Sequence, residues 1–242
     1  MIMLHRYLFA EILKLRRSLA LMLCVAAPAC VAVLGTVVAF DRKTPVPLDN
    51  FVVGGPGIWS FVMLPLAVTA LSVLLAQMEH GSRNWNHLLT LPGARPNLFL
   101  AKAIVMLGLI AMMSALLWAF MLVGAALLTA LHPVGVIGAV DTAQLAQILA
   151  LMTVCSALVA MLQLWVALAY RSFVVPLVFG IGGTFVAIST IGAAKAAWFP
   201  WLLATDVLAT RPEVRQTGLL LGGIGGLAVL GAMLAHLGRR EA

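Results

Sequence analysis

Apolar residues run along this chain in long unbroken stretches, not in the narrow stripes of a water-facing domain. Six stretches, 19–40, 58–76, 103–131, 145–170, 173–191 and 217–237, reach membrane-crossing length. A tilted helix needs roughly 17–25 such residues to span the hydrocarbon core. Lipid offers backbone N–H and C=O groups no partner, so continuous apolar runs of this length predict helices. A membrane β-barrel would show shorter segments of alternating polarity. The pattern therefore predicts an all-α integral membrane protein, one transmembrane domain over 1–242 with six spans. His132-Pro133 stops the third span, and Arg171 and Ser172 alone separate the fourth from the fifth, which predicts a tight hairpin. Gly54-Gly55-Pro56-Gly57 falls in the loop before the second span. Pro28, Pro65 and Pro176 fall inside spans one, two and five, where a proline kinks the helix, opens a discontinuity that can line a pathway, or only shapes packing.

Two segments outside the spans carry their own pattern. In 1–18, Leu4, Leu8, Ile12 and Leu15 share one side of a helical wheel, with Arg6, Lys14 and Arg17 opposite. This predicts an amphipathic helix lying in the membrane interface and leading into the first span. The stretch 192–216 is apolar in part but too short to span, and Trp198 and Trp201 suit headgroup level. A short helix or re-entrant hairpin is expected there.

Composition agrees with the pattern. Hydrophobic residues make up 63% and charged residues 10%, against roughly 45–50% and 25% in soluble domains. The net charge of +7 would suggest nucleic acid in a soluble protein. Here the basic residues flank apolar spans, which points to anionic lipid and no nucleic acid. With the N-terminus inside, inside segments hold ten basic residues and outside segments five: Arg42, Lys43, Lys195, Arg211 and Arg215. Both termini are therefore expected in the cytoplasm. The charged start, with no small-residue cleavage site, argues against a removable signal peptide. Cys24, Cys30 and Cys155 lack metal-site spacing and read as packing residues.

Several chemistries are missing. No Lys, Arg, Asp or Glu falls inside the six spans, which argues against proton-coupled transport and favours an apolar or peptidic cargo over one with a charged head. The histidines His5, His80, His87, His132 and His236 lie at ends and loops, and neither H-E-x-x-H nor a phosphate loop occurs. No cofactor or metal is expected on this chain. Gln163, Ser114, Thr153 and Ser156 form no evident catalytic group. Gly218, Gly222 and Gly226 recur every four residues, a spacing that lets helices pack closely, within the bundle or in a dimer.

The stretch Gln77–Lys102 suggests a role. Trp85, Leu88 and Leu89 make a short helical stripe, Glu79, Arg83 and Asn86 supply polar surface, and Leu91-Pro92-Gly93 ends it. A short helix with an exposed aromatic suits docking to another protein. In order and placement, Glu79, Trp85, Leu88, Leu89, Leu91-Pro92, Arg95 and Lys102, with Glu11, Lys14, Arg16 and Arg17 before the first span, resemble the membrane subunits of type-2 ABC exporters. Bacitracin-resistance and lantibiotic-immunity permeases are members. Asn84 stands where the family usually has Thr.

The resemblance implies a permease subunit in a bacterial inner membrane. It would pair with a second copy or a similar permease and with two separate ATPase subunits, which hold the ATP and Mg. The segment 77–97 would be the coupling element, with Glu79, Arg83, Trp85, Leu88 and Leu89 docked on the ATPase. Arg6, Glu11, Lys14 and Arg17 would mark the interfacial helix. The cargo would be amphipathic, peptidic or lipid-like. A membrane scaffold that transports nothing is the rival reading.

Overall fold

The computed structural model describes residues 2–16, 18–80, 95–190 and 196–239. Helix α1 (Ile2–Leu15) precedes α2 (Leu19–Phe40); β1 (Val46–Pro47) leads into α3 (Leu48–Ile58), a π-turn (Trp59–Met63) and α4 (Leu64–His80). Next come α5 (Arg95–Leu131), β2 (Val136–Ile137), α6 (Thr142–Cys155), α7 (Ala157–Ala169) and α8 (Val174–Thr190). Two short 3-10 helices (Ala196–Trp198, Thr205–Leu208) precede α9 (Pro212–Leu220), a second π-turn (Leu221–Gly225) and α10 (Gly226–Arg239).

Among the described residues, four helices are long and apolar enough to cross a membrane: Leu19–Phe40, Leu48–Glu79, Pro96–Leu131 and Pro212–Arg239. The pair α6–α7, bent by 41°, makes a fifth if it is one span. Helix α8 is apolar but has only 17 residues.

The helices begin earlier than the apolar pattern alone suggests. Gly54-Gly55-Pro56-Gly57, expected in a loop, is helical and belongs to the segment Leu48–Glu79. The cause is packing: the missing Cβ of Gly55 makes room for the thioether of Met121 on α5. Pro56 and Pro65 bracket the first π-turn. Each lacks an N–H, so the regular ladder fails on both sides, and the Leu64 N–H bonds back to the Trp59 carbonyl instead. Pro176 stands in the first turn of α8, where no N–H is needed and no kink follows.

The bend between α6 and α7 falls at Ser156, whose hydroxyl donates to the Thr153 carbonyl at 2.8 Å. It packs against the second π-turn. A Cβ on Gly222 would stand 2.6 Å from the Cys155 carbonyl oxygen, and one on Gly226 would stand 3.0 Å from the Ala157 carbonyl carbon. Gly218 faces the Leu203 carbonyl and the Asp206 side chain. All three glycines therefore meet backbone or side chains of their own chain.

One end of the bundle gathers α1, the end of α4, the start of α5 and the end of α10. Trp165 donates its indole N–H to Nδ1 of His236 at 3.0 Å there, and Gly238 meets Pro96. At the opposite end β1 pairs with β2 in parallel, Val46 beside Val136. Gly135 and Gly138, at φ +88° and +80°, supply the left-handed turns on either side of β2.

The connection 196–211 enters the bundle at this opposite end. Trp198 is exposed, but Trp201, expected at headgroup level beside it, is buried. Its indole fills the space left by Gly183 on α8, stacks on Phe199 and meets Phe179 edge-on at 5.2 Å. Asp206 follows with Oδ2 buried and no hydrogen-bond partner among the described residues. Burial pushes its carboxyl up to about 6 from an ordinary 3.8. A raised carboxyl pKa means the fold binds the proton better than the unfolded chain. Stability therefore falls as pH rises between the two values. Asp206→Asn is expected to raise the melting temperature in detergent at pH 8 and to remove this fall between pH 4 and 6. An unchanged pH slope in the variant would show that another group causes it.

Candidate functional site: a buried ring of charges

Helix α1 positions the first two members. On its wheel Glu11 falls among Leu4, Leu8 and Leu15, not with the arginines, so packing that apolar face inward buries the carboxylate with it. Leu15 is buried, while Phe9, Ile12 and Leu13 are exposed. Ile12, expected on the apolar side with the leucines, is exposed. Lys14, three residues after Glu11, sits at the edge of the buried face.

Glu79 lies in the last turn of α4, and Lys102 two turns into α5 between the buried Ala101 and Ala103. The ammonium of Lys102 donates to Glu11 Oε2 at 2.7 Å and to Glu79 Oε1 at 3.0 Å. Lys14 donates to Glu11 Oε1 at 2.8 Å and to Glu79 Oε1 at 2.5 Å. The four groups close a ring in which the signs alternate. Its net charge is zero, and it joins three elements distant in sequence.

Burial is nearly complete. The Lys102 side chain is 0% exposed, both carboxylate side chains 1%, and only Lys14 reaches solvent, at 33%. Burial opposes the charge on Lys14, but the bonds to Glu11 and Glu79 more than offset it and hold the ammonium above its ordinary value. Taking isolated charges out of water costs several kcal/mol each. Alternating signs and four short bonds are what make this arrangement tolerable.

Glu79 and Lys102 stand just outside the apolar runs 58–76 and 103–131, which stay free of charge, but the fold buries both side chains. Two of the helices long enough to cross contain a member, Glu79 or Lys102. Helix α5 has 37 residues and is about 55 Å long at 1.5 Å per residue. Lys102 therefore lies near one end of the helix. Glu79, expected to face a docked ATPase, has its carboxylate turned inward onto the two lysines. The physical reason is Lys102, whose ammonium needs two carboxylates once the alanines beside it are packed. Lys102 carried part of the family resemblance but was not among the expected docking residues, and a Lys at the edge of an apolar run ordinarily reaches out to the interface.

The other expected site residues fall elsewhere. Arg6 is exposed on α1. Arg17, Arg83, Trp85, Leu88 and Leu89 lie outside the described residues. Among the described residues no three His, Cys, Asp or Glu side chains are grouped to hold a metal ion.

A family model described as ABC-2 family transporter protein matches residues 7–187. The chain belongs to the ABC-2 transporter family. The match runs from the middle of α1 into α8 and includes every member of the charge ring. No curated protein and no solved structure matches the chain. As an ABC-2 permease it is a multi-pass membrane component of a transporter, not itself the catalyst, and the family association implies ABC ATPase subunits as partners. The ring of Glu11, Lys14, Glu79 and Lys102 then stands in this permease where α4 ends.

Proposed function

We propose that this permease is the membrane subunit of an ATP-driven exporter and that the charge ring couples it to its ATPases. The observation that carries the reading is the position of Glu79. It is the last described acidic residue before the segment carrying Trp85, and its carboxylate is bonded to Lys14 of α1 and Lys102 of α5. A displacement of the docking segment passes through Glu79 to both helices at once, because breaking the ring leaves buried charge unpaired. ATP and Mg are held by the two ATPase subunits. The permease works as a pair, with a second copy or a similar chain. The family resemblance of 79–102 supports export of an amphipathic, peptide or lipid-like compound.

In this reading α8 is the sixth crossing, since 17 residues suffice for a helix held nearly upright in a thin bilayer. The ring end, with both termini, faces the cytoplasm of a bacterial inner membrane, in keeping with the surplus of basic residues there. The end with β1 and β2 faces outward.

Affinity purification of the tagged chain in mild detergent, followed by mass spectrometry, tests the reading. The expected companion is an ATPase subunit in stoichiometric amount. Recovery of the intact permease without one, from cells that encode a neighbouring ATPase, would instead favour a scaffold. Trp85→Ala is expected to weaken ATPase association on the order of 30-fold, the loss of a 2 kcal/mol aromatic anchor, with membrane insertion unchanged. Glu79→Arg is unsuited to this test, because it disrupts the ring as well as any docking surface.

A further inference from the structure

The end of the bundle opposite the ring holds a pocket of about 200 Å³ between α2 and α3. Its walls are apolar, from Leu34 and Val38 on α2 to Phe51 and Ile58 on α3. Two polar side chains line it, Arg42 just past the end of α2 and Asn50 in the first turn of α3. Leu34, Val38 and Ile58 are exposed as well as lining, so the pocket opens sideways on the lipid-facing surface.

Arg42 makes no ion pair among the described residues. The acids near it are Asp41 beside it in the chain and Asp49 on α3, and Asp49 is directed toward Gly138, with Oδ2 3.8 Å from where a Cβ there would stand. Glycine keeps the space open: a Cβ on Gly54, which lines the pocket, would meet nothing within 4 Å.

We propose that this pocket binds an acidic amphiphile, with its phosphate or carboxylate head on Arg42 and Asn50 and the first methylenes of its tail against Leu34, Val38 and Ile58. The volume equals that of about seven water molecules, enough for a head and a few methylenes but not a whole lipid. The remaining tail leaves through the lateral opening into the acyl phase. A guanidinium without a carboxylate partner, at the mouth of an apolar slot, favours an anionic head over a zwitterionic one. The expectation of a cargo without a charged head rested on spans empty of charge. Arg42 stands just past a span, at headgroup depth, and that is where a head would lie.

Native mass spectrometry of the purified full chain with dioleoylphosphatidylglycerol or dioleoylphosphatidylcholine tests the site without any ATPase, so its result is independent of the exporter reading. Phosphatidylglycerol is expected to bind in preference, and Arg42→Gln to weaken it about fivefold. Gly54→Leu, which fills the pocket without touching the charge, is expected to abolish the bound species. Sodium oleate that displaces phosphatidylglycerol would mark a site open to single-chain acids such as a cargo. Retention of phosphatidylglycerol against oleate would mark a resident bilayer lipid. Equal binding of both phospholipids, or binding unaffected by Gly54→Leu, overturns the proposal.

Discussion

Lys102→Met is expected to lower the stability of the folded permease by about 3–5 kcal/mol, the cost of breaking a buried ion pair from one side. The substitution keeps the length of the side chain, so no large cavity contributes. What it removes is the ammonium shared by Glu11 and Glu79, bonded at 2.7 and 3.0 Å. Both carboxylates would then lose the cation buried between them and keep their bonds to Lys14. The double variant Glu79→Gln, Lys102→Met should lose less than Lys102→Met alone. It leaves Glu11 and Lys14 paired on the same helix at 2.8 Å and no net charge buried. Thermal unfolding in detergent of the wild type, the two single variants and the double variant measures this as a coupling energy. If the single-variant losses simply add, the ring is not an energetic unit, and its role in coupling α4 to α1 and α5 falls with it.

Gly222→Ala is expected to cost about 1–3 kcal/mol, the range for overpacking a close contact. The new Cβ would stand 2.6 Å from the Cys155 oxygen and 2.8 Å from its carbonyl carbon. Neither is the far end of a flexible side chain, so the last span must move away from the α6–α7 bend. The neighbouring position is the control. A Cβ on Gly223 would find Val154 Cγ1 at 3.6 Å, an ordinary contact, so Gly223→Ala should be neutral or gain up to about 1 kcal/mol of helix propensity. Melting temperatures of the two variants in the same detergent decide the matter. Equal temperatures would mean that the close approach of the π-turn to the bend contributes nothing.

The two cases show why part of the site was legible and part was not. Long apolar runs announce membrane helices because lipid leaves the backbone no alternative; α2 coincides with its run, and α5 and the last helix contain theirs but begin earlier. Glu11 entered only through the family resemblance, and its place on the leucine face of α1 implies burial only once a partner cation from another helix is known. Glu79 read as polar surface because it borders a polar stretch. Nothing local to it records that Lys102 of α5 and Lys14 of α1 stand beside it in the fold. The glycines of the last span announced close packing, but not the partner. Cys155 and Ala157 fill that place because the helix containing them breaks at Ser156.

The sequence by itself determined the membrane class, the helical character and the transporter family, because each depends on local pattern: run length, residue type and motif order. The tertiary structure alone decided which charges are buried, which way Trp201 and Glu79 turn, and where Arg42 meets an open pocket. Those outcomes depend on pairs of residues far apart in the chain, and a charge becomes buried or exposed only when its partner from another helix arrives.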